Sequence, residues 1–283
     1  MWPLRRPGIS AAHMYEACAR GVRDTGRRAR LTELAPHVAA AAVVYAQAAM
    51  AGGLHDLSAL RNRTEKDPSV RPNKDDRAEL VRLYSEGLVQ NKAGRVVYDL
   101  LVSAAADACP FCGHFPADTL DHVLPKSEFA LLSVTPDNLV PACTPCNHRK
   151  NNRTAAAADE QPLHPYFEHA DTGRWLTARL LPGLPPVVQF FAEPDGSFSE
   201  VIANRIRHQF KQYALAELYT IQAQRLIAGE RGLRADLRSA GGSQLLAKHL
   251  RASAQSWVST SVNCWQRAAY EAMAADRTFV DEL

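Results

Sequence analysis

Two Cys-x-x-Cys pairs, Cys109/Cys112 and Cys143/Cys146, carry the clearest chemical spacing in this chain. Each stands beside a turn former, Pro110 and Gly113 in the first and Pro145 in the second. Each pair can therefore form a tight knuckle, and four thiolates on two knuckles can converge on one tetrahedral Zn2+. A full set of four thiolates leaves no position open for substrate, so the zinc expected here holds the fold and performs no reaction. The alternative, a redox dithiol, predicts disulfide cycling of Cys109/Cys112. Cys18 and Cys264 have no partner in the sequence and are expected as buried apolar fillers. Between and just after the pairs lie Asp121-His122, Asn138 and the dipeptide Asn147-His148. A neutral imidazole is the side chain best matched to take a proton from water near pH 7.

The order C-x-x-C, DH-x-x-P-x-S, DNL, C-x-x-C-N-x-x-K, running from Cys109 to Lys150, resembles the HNH endonuclease family, whose site is a ββα-metal finger. The resemblance implies a metal-dependent endonuclease that hydrolyses DNA phosphodiester bonds. His122 would activate water, and Asp121 would supply a carboxylate to one Mg2+ or Mn2+ that offsets charge on the leaving oxygen. Asn138 would steady His122 through its side chain or its backbone. Asn147 and His148 cannot both face that cation, because helix neighbours are about 100° apart. A helical wheel favours Asn147 only slightly. The resemblance implies Asn147 as the second oxygen ligand, a His-Asn-Asn variant, and leaves His148 as a phosphate contact or a solvated surface histidine.

Lys126, His148, Arg149, Lys150 and Arg153 are the expected nucleic-acid contacts. The finger's cations Lys126, Arg149, Lys150 and Arg153 are matched by Asp118, Asp121, Glu128 and Asp137, so further affinity for DNA is expected from the basic flanks. Those flanks bear Arg20, Arg23, Arg27 and Arg30, and Arg205, Arg207 and Lys211. His164, in LHPYFEH, could touch the site or belong to a packing corner. A competing class is a non-catalytic zinc module that binds nucleic acid or protein. The layout also resembles effectors of bacterial antiphage defence, which implies a regulatory ATPase or sensor protein as partner.

The elements that must position these residues are mostly helical. The expected fold is mainly α with a small α+β part: the finger and its zinc site embedded between helical N- and C-terminal regions. Residues 10–50 read as helices capped by Ser10 and broken near Pro36. Residues 54–73 read as a loop or linker. Asn73 can cap a helix whose apolar face carries Leu80, Tyr84 and Leu88, and a second helix is expected over 95–105. From 108 to 153 the texture is strand, loop, strand, helix. RWLTARLLP and PVVQFFAEP flank a Pro/Gly turn and are expected to pair. Stripes at Ile202, Ile206, Phe210, Tyr213 and Ile221, then Trp257, Val258, Ser261, Trp265 and Ala269, read as core faces of helices. The expected regions are 1–72, 73–170 and 171–283. With 283 residues, 46% hydrophobic and net charge +3, the chain can bury a core without disulfides and tolerates a polyanionic partner. Its longest apolar run, 38–51, is too short to cross a bilayer and no secretory signal is read, so a cytoplasmic location is expected.

Overall fold

The computed structural model of the chain describes residues 2–62, 72–105, 108–168 and 170–281. They divide into two compact units, 2–169 and 170–283. In the first, α1 (Ala11–Arg20) starts at Ser10, whose hydroxyl accepts from the His13 N–H. α2 (Thr25–Met50) starts at Asp24, which accepts from the Arg27 N–H. The helical break therefore falls at 21–24, and Pro36, the expected breaker, lies inside α2. A proline costs a helix one hydrogen bond and a clash. Here the buried stripe of Leu31, Leu34, Val38, Ala41, Tyr45 and Ala49 anchors the helix on both sides of it. Packing overrides propensity at this position.

The described part of the expected linker holds two short 3-10 turns, Leu54–Asp56 and Ser58–Leu60; residues 63–71 lie outside the described residues. α3 (Lys74–Leu83) opens with a reciprocal capping box between Asn73 and Asp76 and passes directly into a π-helical stretch, Tyr84–Gln90. α4 (Lys92–Ser103) follows, starting three residues before the expected position. Met14, Leu31, Leu34, Leu80, Leu83, Leu88 and Leu101 form one core with Leu120, Val134 and Leu139 from the finger. The C-terminal half of α2 packs Tyr45 and Ala49 against Leu124, Phe129 and Leu132 in a second cluster. The finger thus rests on α1–α4 through shared burial.

The finger itself is β1 (Thr119–His122), β2 (Leu139–Ala142) and α5 (Thr144–Lys150). The strands are antiparallel and pair Asp121 with Val140 and His122 with Leu139. In the second unit β3 (Leu176–Leu181) pairs antiparallel with β4 (Val187–Ala192), as the two flanking runs predict. α6 (Glu200–Gln212), α7 (Leu215–Gly229), α8 (Arg231–Ser256, kinked at Gly242), α9 (Trp265–Ala275) and α10 (Arg277–Asp281) complete it. Ile206, Phe210 and Tyr213 are buried as their stripe requires, but Ile221 is exposed; α7 buries Leu215, Tyr219, Ala223 and Ile227 instead. Among the described residues no helix is long and apolar enough to cross a membrane.

The basic flanks are less available than their composition implies. Arg27 pairs with Glu79 and Glu86, Arg30 pairs with the fully buried Asp76, and Arg205 is itself buried. Arg27 and Arg30 are committed to ion pairs and Arg205 to the interior, which corrects the expectation that these three present free charges to a phosphate backbone.

Candidate active site

The two knuckles converge. All four Sγ atoms of Cys109, Cys112, Cys143 and Cys146 lie within 4.8 Å of one another and all four residues are buried. Cys112 and Cys143 are 3.8 Å apart, the edge of a tetrahedron whose metal–sulfur bonds are about 2.3 Å. Contact among the thiols, with Cys109 foremost, lowers Cys112 below its ordinary value and pushes Cys146 above its own. Four thiolates cannot share such a space without a cation, and the donor set fits structural zinc. Local geometry builds each knuckle. The Gly113 N–H closes on the Cys109 carbonyl at 2.7 Å, with Gly113 at φ 58°, and a Cβ there would stand 1.8 Å from the Trp2 ring. On the second knuckle α5 begins at Thr144, directly after Cys143, with Pro145 in its first turn, and Asp118 accepts from the N–H and hydroxyl of Thr144.

His122 ends β1 and is buried, its ring edge-on to Tyr84 at 4.5 Å between centroids. Its Nε2 lies 2.9 Å from the Ser133 carbonyl. A carbonyl only accepts, so Nε2 carries the proton and Nδ1 is the basic nitrogen. Burial, helped by the nearby Lys126 charge, pushes the imidazole down to about 3, so it is neutral throughout the physiological range. Asn138, the expected steadying partner by side chain or backbone, has its carbonyl accepting from the N–H of Val123, the residue after His122, at 2.9 Å. It lies in the turn before β2, accepts from the Leu124 N–H at 2.8 Å and donates to the carbonyls of Leu124 and Leu132. Asn138 fastens the two ends of the 124–132 loop, and that loop delivers Ser133. A backbone carbonyl leaves no mark in a sequence, which is why Ser133 was not among the expected residues.

Asp121 and Asn147 both lie on the seam between β1 and α5. Asn147 Nδ2 donates to Thr119 Oγ1 at 3.0 Å, and that hydroxyl donates onward to the Ala142 carbonyl at 3.0 Å. Thr119 can therefore only accept from Asn147, which leaves the Asn147 amide oxygen as the donor atom for a metal. Asp121 is 4% exposed; its Oδ1 takes the Lys150 ammonium at 3.2 Å, and its Oδ2 is buried without a hydrogen-bond partner. Burial raises the carboxyl to about 6, with Lys150 pulling the other way. An orphaned carboxylate oxygen at this depth is what an oxygen-seeking divalent cation would complete, so the residues fit one.

Lys150 departs from expectation. It turns inward, 3% exposed, and donates to the His122 carbonyl at 2.5 Å as well as to Asp121. It braces the Asp121-His122 dipeptide and is not placed to grip an external phosphate. His148, Arg149 and Arg153 are exposed on or just beyond α5, and Lys126 is half-buried with its ammonium over the Tyr84 ring. His164 belongs to a packing corner: it is buried between the Tyr45 hydroxyl, the Asp137 carbonyl and the Tyr166 N–H.

Residues 109–153 match the HNH endonuclease family. The match takes in all four cysteines, Asp121, His122, Asn138 and Asn147. Over 218 residues the chain is 27% identical to Protein ea31 of Escherichia phage lambda, an alignment covering 72% of this chain and 74% of that protein. No solved structure matches. The HNH segment also has a brace outside its own bounds. Trp2 N–H donates to the Pro110 carbonyl, Leu4 N–H to the Pro165 carbonyl, and Arg6 grips Asp137 with two bonds of 2.8 and 2.6 Å.

Proposed function

We propose that this chain is a metal-dependent HNH endonuclease that hydrolyses DNA phosphodiester bonds. The observation that carries this reading is the pairing of a neutral, oriented imidazole with an orphaned buried carboxylate oxygen on the next residue of one strand. His122 Nδ1 takes the proton of the attacking water, while the Ser133 carbonyl holds Nε2–H and fixes the ring. Asp121, through Oδ2, and Asn147, through its amide oxygen, would hold a divalent cation, Mg2+ or Mn2+. That cation, when bound, offsets the negative charge that develops on the phosphate and on the departing oxygen. Lys150 keeps Asp121 facing the site, and a zinc held by the four cysteines would fix the start of α5 against β1. Lys126, His148, Arg149 and Arg153 meet the phosphate backbone.

Incubation of plasmid DNA with the purified chain in Mg2+, Mn2+ or EDTA tests the reading, together with metal analysis. Cleavage is expected with either cation and is abolished by EDTA. His122→Ala is expected to lower the cleavage rate by about 10²-fold or more while DNA binding persists. A protein that binds zinc and DNA yet never cuts under any divalent cation would be the non-catalytic module instead.

A further inference from the structure

Next to the Asp121–Lys150 pair lies a cavity of about 180 Å3 that the hydrolytic chemistry leaves unused. Leu54, Leu57 and Phe129 give it buried apolar walls. Its exposed lining residues, which mark the mouth, include Arg61 and Arg153. Arg61 stands over the Phe129 ring at 5.6 Å, pairs with Glu128 at 3.3 Å and donates to Thr154 at 3.3 Å, so it spans the opening from one wall to the other. The inner lining includes Val123 and Leu124, which follow His122 directly, and the buried Lys150. A chamber with apolar walls, polar groups of His55, Ser58 and Gln161 among its lining and cations at its mouth matches the polarity of one nucleotide, base inward and phosphate outward. Its volume is on the scale of one base, with sugar and phosphate left at the mouth, and excludes a duplex.

We propose that this cavity receives one unstacked nucleoside of the substrate strand, adjacent to the phosphate on which His122 and Asp121 act, with Arg61 and Arg153 on neighbouring phosphates. The inference rests on the nuclease reading and names its substrate class: single-stranded or already distorted DNA. A relaxed duplex is the poorer substrate, because it must first surrender the stacking of the base that enters.

The test uses the full chain and one sequence prepared as a single strand and as a relaxed duplex. Initial cleavage rates in Mg2+ are compared for the wild type and for Ala156→Trp, which places a ring at an exposed position of the lining. The wild type is expected to favour the single strand by about 10-fold, on the scale of one base–aromatic stack. Ala156→Trp is expected to lose that preference while keeping its melting temperature and zinc content. In parallel, binding of the single strand to His122→Ala protein is titrated against salt. Adding Arg61→Ala is expected to weaken binding and reduce the salt slope by about one. Equal wild-type rates on the two substrates, or a preference that survives in Ala156→Trp, would overturn the cavity assignment and leave the nuclease intact. Absence of all cleavage would instead remove the nuclease reading. Single-strand binding that Ala156→Trp still impairs would then keep the cavity as a nucleotide site.

Discussion

Lys150 is the residue whose sequence neighbourhood misleads most. Lysines are seldom buried unless paired, and the polar run NHRKNNR reads as solvent-facing. The structure sends this one ammonium inward to a carboxylate and a carbonyl. Lys150→Met should therefore leave Asp121 buried without its counter-ion, a loss of about 3–5 kcal/mol by urea denaturation. Arg153→Ala, at an exposed position, should change stability by less than about 0.5 kcal/mol and reduce the salt dependence of DNA binding by about one. His122 adds a pH dependence. Its folded value of about 3 lies below the ordinary 6.5. As pH falls through 6.5 the unfolded chain binds a proton that the folded chain refuses until about 3, so His122 makes the fold lose stability across that window. His122→Gln should flatten the acid limb of a stability–pH curve between those values, and an unchanged limb would show that the imidazole is not buried as described.

At the scale of elements, what could be read in advance was what side-chain types carry. Two knuckles and a strand–loop–strand–helix order follow from cysteine spacing and motif residues. The 124–132 loop did not follow, since its task is performed by backbone groups that Asn138 collects. Pro36 misled for a related reason: local propensity is visible in a sequence, and the core that overrules it is not. Asn138→Ala should cost about 1–3 kcal/mol, because it orphans the Leu124 N–H and carbonyl, whereas the Leu132 carbonyl keeps its bond from the Thr135 N–H. It should also slow cleavage by letting Ser133 drift from His122. Asn138→Asp, which keeps only the acceptor, should lie between wild type and alanine in both measurements. Cys143→Ala should remove zinc, expected at one per chain by metal analysis, and with it the anchoring of α5.

At the scale of the molecule, each unit buries apolar residues of its own. Residues 2–169 contain every proposed catalytic group, both knuckles and the cavity. A fragment covering 1–169 is expected to fold with a cooperative melt, retain zinc and keep Mg2+-dependent cleavage; a fragment that purifies only as an unfolded chain would refute this division of labour.

The opening segment sets an order on biosynthesis. Its anchorage points stand at positions 110, 165 and 137, all translated long after Trp2, Leu4 and Arg6 leave the ribosome. Because synthesis runs from the N-terminus, these residues must wait while everything they will clasp is made. The first part of this unit to be polymerised is among the last to find its place.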